Sequence, residues 1–381
     1  MRRTACANCG NSLVKFLDLG SSPLADRFPA AADTPEQFYP LELAVCETCW
    51  LVQMLEVVPG KELYGDDYAY YTGASPSLER YFTDVAAQYT SLAPQRVTEI
   101  ACNDGTLLKH FADAGCTTLG IDPSGPAEAA RKHGLDVLRV PFTAAVAGEH
   151  AGKSDLVLAF NVAAHVEDPH DFLEGIQLLL APGGIAVIEF QYLGDLIAGC
   201  MIDHVYHEHR FFYSKSSFAS LISHHGLHVT ECEHTAGQGG SLRVTLCKDT
   251  GSAWLGEDWL SQVQPYQGLQ ERADYMKASL LDLINDADGV VAGYGATAKS
   301  ATLLNWCGIT PSQVKWVEDV TPGKIGKFTP GTKIPIQAPG TQPDVFVLLA
   351  WNYLSHVIRR ERAFLDGGGT FIIPGPVPCV L

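Results

Sequence analysis

Twice in this 381-residue chain a β-prone run stops at a turn of small residues and restarts as a helix. The first is Val97-Thr98-Glu99-Ile100-Ala101-Cys102-Asn103-Asp104-Gly105, and the second is Val290-Val291-Ala292-Gly293-Tyr294-Gly295-Ala296-Thr297-Ala298-Lys299. A junction of this kind opens a strand–helix–strand unit, and the runs after each one keep alternating. Strand 97–102 follows a helix that begins near residue 75. It leads into helix 104–114, strand 117–122, helix 125–133, strands 136–139 and 155–160, helix 169–180 and strand 184–190. A helix over roughly 266–287, opened by Pro265, connects to strand 289–293, helix 296–305, strands 314–318 and 344–349, helix 353–365 and strand 369–373. The expectation is an α/β chain with two parallel sheets, each covered by helices. At this length two to three domains are also expected.

Residues 1 to about 60 read differently. Pro23, Pro29, Pro35 and Pro40 are too closely spaced for long helices, and the region looks irregular. It holds two Cys-x-x-Cys pairs, Cys6/Cys9 and Cys46/Cys49. Each pair places two thiolates on a tight turn, and two such turns close a tetrahedral structural zinc site. Metal binding would supply stability that so few apolar residues cannot. The other seven cysteines are scattered singly and read as small buried hydrophobes.

The formal charge of −17 argues against non-specific nucleic-acid binding. No apolar run reaches membrane-spanning length, and Met1-Arg2-Arg3-Thr4 is not followed by a signal-peptide core. The default expectation is a cytoplasmic protein with no membrane partner.

In the first turn the small residues from Ala101 to Gly105 would let backbone approach a cofactor. Asp122, about twenty residues on, ends the next strand where an acid could take ribose hydroxyls, with Pro123 and Ser124 beside it. The turn is poor in glycine for a pyrophosphate, which favours S-adenosylmethionine over a dinucleotide. Glu99, Ala101, Asn103, Gly105, Asp122, Pro123, Ser124 and Asn161 are the candidate cofactor residues, Asn161 lying near the methionine moiety. His165 would stand near the transferable methyl, or cap the helix that follows.

Downstream, Tyr206-His207-Glu208-His209-Arg210 gathers two imidazoles, a carboxyl and a phenol into five residues. An electrophilic cofactor followed by a proton-transfer cluster suggests alkylation at carbon after deprotonation. A metal site built from Asp203, His204, His207, Glu208 and His209 is a competing reading, as is a purely structural polar cluster. The second turn fits the Gly-x-Gly-x-x-Gly/Ala dinucleotide fingerprint, with Glu318 or Asp319 as the ribose acid. Read alone it suggests NAD(P) and a ketoreductase.

Two Cys-x-x-Cys pairs, Glu-Ile-x-Cys-Asn-Asp-Gly, Asn-x-x-x-His, Tyr-His-Glu-His and Gly-Tyr-Gly-Ala-x-Ala-Lys occur in this order over nearly the whole chain. Together they resemble the S-adenosylmethionine-dependent sugar C-methyltransferases of antibiotic deoxysugar pathways, which act on C3 of a dTDP-linked 4-keto-deoxyhexose. The resemblance implies a small zinc-binding domain over 1–60 and a central Rossmann-like methyltransferase domain over 75–255 with its active-site segment at 203–213. It implies a C-terminal Rossmann-like α/β domain over 260–381. It carries the catalytic base onto His209, with Glu208, Tyr206, His165 and Tyr70 in the active site. The second turn then helps hold the nucleotide sugar, with Tyr294 and Asn352 lining the pocket and Lys299 meeting its diphosphate. One departure is Ala101, where the family often has glycine. A decayed, non-catalytic scaffold is disfavoured by the intact Asn103-Asp104-Gly105, Asp122 and His209. Oligomeric state is not legible.

Overall fold

A computed structural model describes residues 1–65, 68, 70–249 and 259–381. The expected end of the central region at 255 falls outside them. Among the described residues no helix is long and apolar enough to cross a membrane.

The N-terminal region is not irregular throughout. β1 (Val14–Ser22), β2 (Tyr39–Val45) and β3 (Val52–Met54) form an antiparallel sheet whose fourth strand is β9, Phe211–Phe212, from far along the chain. Proline spacing forbids long helices between residues 23 and 40 but leaves strands free on either side of that stretch, so it predicted too little. Val52 pairs with Phe212 and Gln53 with Phe211, directly after the Tyr206–Arg210 cluster. The small sheet therefore grips the segment expected to be catalytic.

The central sheet has seven strands. β4 (Arg96–Ile100), β5 (Thr117–Ile121), β6 (Val137–Leu138), β7 (Ser154–Phe160) and β8 (Leu180–Gln191) pair in parallel. The antiparallel β10 (His228–Thr235) and β11 (Ser241–Cys247) complete the order β10-β11-β8-β7-β4-β5-β6. β4 lies beside both β5 and β7, so the chain reverses its direction of winding there. That switch point, beyond the carboxyl ends of the strands, is where such sheets bind ligands. The edge hairpin was not foreseen. Its outer strand mixes exposed Glu231 and Glu233 with buried Val229, a weak period-2 signal.

The C-terminal sheet runs β14-β13-β12-β15-β16-β17. β12 (Val291–Tyr294), β13 (Val317–Glu318), β14 (Ile336–Gln337), β15 (Val345–Leu348) and β16 (Thr370–Ile373) are parallel, and β17 (Cys379–Val380) is antiparallel. Helix Leu269–Asn285 precedes it, and helix Ala298–Cys307 follows β12. Its core is continuous with that of the N-terminal sheet: Leu17, Leu43 and Met54 share one apolar cluster with Leu303, Val317 and Ile372.

Candidate active site and zinc centre

The four N-terminal cysteines converge. Their Sγ atoms all lie within 4.8 Å of one another, at 3.5 Å for Cys6–Cys49, 3.4 Å for Cys9–Cys46 and 3.5 Å for Cys9–Cys49. These separations are far from a disulfide and close to the ~3.8 Å edge of a tetrahedron of Zn–S bonds. The two knuckles are built alike. Gly10 N–H donates to Cys6 O at 2.9 Å and Trp50 N–H to Cys46 O at 2.7 Å, and both residues have positive φ. Four thiolates fill the coordination sphere, so the ion they hold is structural.

At the switch point three non-glycine residues are left-handed: Ala101 (φ 57°), Asn103 (φ 49°) and Asn161 (φ 54°). Such strain clusters where a ligand or a turn needs it. It also explains why glycine suits the Ala101 position, since an L-residue there costs about 1–2 kcal/mol. Gly105 (φ 81°) has a different role from the one expected. A Cβ on it would sit 2.4 Å from Leu135 Cδ1 and 3.0 Å from Ala130 Cβ, so the bare backbone admits the protein's own side chains, not a cofactor.

Asp122, only 4% exposed, accepts Asn103 N–H at 2.9 Å through Oδ2 and Ser124 N–H at 2.8 Å through Oδ1. It therefore shapes the loop, with lone pairs left for a hydroxyl ligand. Pro123 continues this turn. The Asn103 side chain takes Thr72 N–H at 3.0 Å and gives to Tyr70 O at 3.1 Å, while Asp104 takes Gly73 N–H at 2.8 Å. A strap of Tyr70–Gly73 thus closes over the turn. Beneath it Glu99 is buried with Oε2 unpartnered, and burial together with Asp122 and Asp104 raises its pKa well above the usual range. A buried acceptor without a donor is what a ligand's hydroxyl or ammonium group would satisfy. These residues fit S-adenosylmethionine.

The Tyr206–Arg210 segment stands over the same end of the sheet. His209 Nδ1 donates to His204 O at 2.8 Å. A carbonyl can only accept, so the Nδ1 proton leaves Nε2 as the basic nitrogen, and Tyr206 Oη–H donates to it at 2.8 Å. Burial, with His165 and Lys299 nearby, pushes the His209 pKa well below that of an ordinary histidine, so its lone pair is free of a proton at neutral pH. The His165 ring stands edge-on to His209 at 4.9 Å, its Nδ1 on Tyr64 Oη at 2.9 Å. Burial and Arg210 lower its pKa to about 4. Glu208 receives Tyr68 Oη–H at 3.3 Å, and burial beside Asp26 raises its carboxyl well above the usual range.

Several expectations change here. Tyr64 and Tyr68 touch the cluster, whereas Tyr70, 40% exposed, stands at the rim with its ring tilted against Tyr68. The Tyr294 ring packs between Phe346 and Phe371 and its hydroxyl donates to Glu361 at 2.7 Å, so Tyr294 is turned into the core; a place in a glycine-rich turn does not reveal side-chain direction. Lys299 Nζ is buried without a hydrogen-bond partner among the described residues, near enough to His204 and His209 for its charge to act on both. Asn352 lies by the Gly237–Gly240 loop, 3.8 Å from where a Gly239 side chain would begin. The histidines do not form a metal site. His207 reaches Pro40 O at 3.2 Å, and among the described residues only the four cysteines bring three or more ligand atoms together.

Two contributions had no sequence signal. Arg210, 1% exposed, donates to His165 O at 2.9 Å and Val58 O at 2.7 Å, locking the segment between the central and N-terminal sheets. Asp26 and Arg27, from the proline-rich region, line a crevice with Leu24, Leu63, Tyr68 and Glu208.

Residues 6–64 match a zinc binding domain family, residues 75–232 a methyltransferase domain family and residues 236–376 the C-methyltransferase C-terminal domain family. The C-methyltransferase NovU of Streptomyces niveus is 33% identical over 405 aligned residues, spanning 99% of this chain and 96% of that one. A ubiquinone biosynthesis O-methyltransferase of Caulobacter sp. (strain K31) is 36% identical over 99 residues, 24% of this chain and 39% of its own length. Among solved structures, the PH0226 protein of Pyrococcus horikoshii OT3 aligns with a TM-score of 0.39 and 14% identity, over 47% of this chain and 94% of that one. With three domain families in order and a relative matched end to end, this chain belongs to the C-methyltransferase family: an S-adenosylmethionine-dependent enzyme with a structural zinc domain.

Proposed function

We propose that the protein methylates C3 of a dTDP-linked 4-keto-deoxysugar in the cytoplasm, with His209 as the base. The observation that carries this reading is the His209 imidazole, buried and neutral, with its Nδ1 proton on His204 O and its basic Nε2 turned toward Tyr206. A C–H beside a ketone is too weak an acid to ionise unaided, so a positioned base is required, whereas methylation at oxygen or nitrogen needs much less. The proton reaches Nε2 directly once Tyr206 swings aside, or through the phenol oxygen; either way it ends on His209. His165 and Tyr64 hold the far wall. Glu208, kept protonated, is able to donate to a sugar substituent, and Tyr70 and Asn352 stand at the rim.

S-adenosylmethionine, held by Glu99, Ala101, Asn103, Asp122, Ser124 and Asn161, supplies an electrophilic methyl on sulfur. Holding the two reactants in register accounts for much of the rate. The division into regions 1–60, 75–255 and 260–381 is part of this reading, with the first serving as a brace for the active segment.

The ketoreductase reading is less well supported. Lys324 Nζ sits on Ala296 O at 2.8 Å above the second glycine turn, with the Phe28 ring 4.9 Å from it. The Ala296 carbonyl at the helix start is thus already engaged within the chain. The direct test is His209→Asn assayed with dTDP-4-keto-6-deoxyglucose, or a 2- or 3-substituted relative, and labelled methyl donor. Loss of carbon methylation with retained S-adenosylhomocysteine binding is expected.

A further inference from the structure

Among the described residues, the buried side-chain atoms around the active segment that have no hydrogen-bond partner include Gln191 Oε1, His204 Nε2 and Lys299 Nζ. They come from different elements. Gln191 ends β8, His204 ends the one-turn helix Ile202–His204, and Lys299 is in the first turn of helix Ala298–Cys307. The elements are tied together, since Thr302 Oγ1 donates to Val205 O at 2.8 Å and the Gln191 amide bonds His204 Nδ1. Lys299 is close enough for its charge to disfavour protonation of both His204 and His209. Asp203, its one acidic neighbour, already accepts Trp351 Nε1–H at 2.9 Å.

The protonation pattern says what the site lacks. With Gln191 Nε2 as the donor to His204 Nδ1, the imidazole proton falls on Nε2, in a residue only 1% exposed and with no partner for that nitrogen among the described residues. Near enough for its charge to act on His204 is the Lys299 ammonium, also buried without a hydrogen-bond partner. Leaving a buried donor unmet is costly, about 1–3 kcal/mol for each and more for a charge. The roof is the Gly237–Gly240 loop, where a Cβ on Gly239 would come within 4.0 Å of His204 Nε2. Two buried donors, one of them cationic, call for a small anionic oxygen.

We propose that His204 and Lys299 form an oxyanion site for the acceptor ketone, receiving its oxygen beneath the Gly237–Gly240 loop; this rests on the carbon-methylation reading above. As His209 Nε2 takes the proton, the C–H electron pair becomes the enolate C=C bond. The carbonyl π pair moves onto oxygen, where the His204 N–H and Lys299 ammonium meet it. The pair then returns to restore the ketone as the carbon attacks the methyl group. The C–S pair stays on sulfur, leaving the neutral thioether. Donors aimed at charge that appears only in the transition state act on turnover more than on binding.

The test uses the full-length zinc-loaded protein, dTDP-4-keto-6-deoxyglucose as probe and S-adenosylhomocysteine in deuterated water, reading deuterium entry beside the ketone. Methyl transfer and probe affinity are followed in parallel. Lys299→Met and His204→Phe should each slow exchange and methyl transfer by about 10²–10³-fold, with probe affinity changed less than about threefold. His204→Gln, which carries an N–H to nearly the same place, should recover much of the loss. Unchanged S-adenosylhomocysteine binding shows that a variant is folded; if His204→Phe is not, Lys299→Met decides alone. Wild-type rates in Lys299→Met, or a loss confined to probe affinity, overturn the oxyanion site and leave a packing or ground-state role. A wild-type enzyme that neither exchanges nor methylates the probe, or any substituted relative of it, overturns instead the reading on which the site rests.

Discussion

At the end of β5, Asp122 accepts the N–H of Asn103 through one oxygen and that of Ser124 through the other; at the end of β13, Asp319 does the same for Ala296 and Thr321, both at 2.8 Å. Two parallel sheets in one chain thus pin the loop after their first strand with the same carboxylate device. They differ in what remains unsatisfied. Where β4 carries Glu99, buried with an unpartnered oxygen, β12 carries Gly293, which has no side chain. The first turn is closed by a strap whose bonds run through Asn103 and Asp104, while the second has its Ala296 carbonyl taken by Lys324. A glycine-rich or small-residue turn therefore reports how strand meets helix. The polar groups left without partners report where a ligand goes.

The N-terminal sheet treats the two regions differently as well. Through the β3–β9 pairing and Arg210 it braces the segment over the first crevice, while Phe28, from the loop between β1 and β2, packs against Lys324 beside the second turn. Stripping the metal should therefore have the largest effect. One zinc equivalent is expected, and removing it, or making Cys46→Ser, should unfold the N-terminal region, since structural zinc contributes on the order of 10 kcal/mol. Calorimetry with metal analysis would register this, and an active, metal-free protein of unchanged melting temperature would sever the link between the small sheet and the site.

Next in size is His209→Asn, expected to lower turnover by roughly 10²–10⁴-fold with ligand affinities similar. Unimpaired methylation would shift the base to His165. The paired acids give the sharpest contrast. Asp122→Ala should weaken S-adenosylhomocysteine binding by about 1.5–3 kcal/mol, whereas Asp319→Ala, which loses the same two N–H partners, should leave that affinity within about twofold. Equal losses in titration calorimetry would mean that the first sheet is no more a cofactor site than the second.

The smallest effect is a displaced pH limb. Burial holds the His209 pKa well below 6.5, so the lone pair persists as pH falls through that value and the acid limb of kcat lies lower. Burial also lowers the Lys299 pKa to about 8, so its charge is lost, and the rate falls, as pH rises through about 8. Lys299→Arg should move the alkaline limb upward, because guanidinium stays charged; an unmoved limb would detach Lys299 from the chemistry.

Most strands of the two largely parallel sheets were legible because they are short apolar runs bounded by turn residues, whereas β14, β17 and the β10–β11 hairpin were not foreseen; the zinc centre was legible because spacing brings four thiolates together. Less was legible where partners come from distant segments. Nothing near Phe211 announces that it pairs with Gln53, and nothing in Ala25-Asp26-Arg27-Phe28 marks residues that reach the active segment and the second crevice. Side-chain direction was the other blind spot. Tyr294 and Lys299 sit in a suggestive turn, yet one packs in the core and the other is a buried ammonium whose charge acts on His204. Among the tyrosines near the strap, only tertiary contact separates Tyr64 and Tyr68, which touch His165 and Glu208, from Tyr70 at the rim.

The central claim is transfer to carbon by way of a base at His209. The direct measurement is nuclear magnetic resonance of the product formed from ¹³C-methyl-labelled S-adenosylmethionine and a dTDP-linked 4-keto-deoxysugar. The account predicts that the labelled methyl is bonded to the sugar carbon beside the ketone, C3, in the wild-type product and is absent with His209→Asn. A labelled methyl on oxygen or nitrogen, or an undiminished carbon-methylated product from the variant, would contradict it.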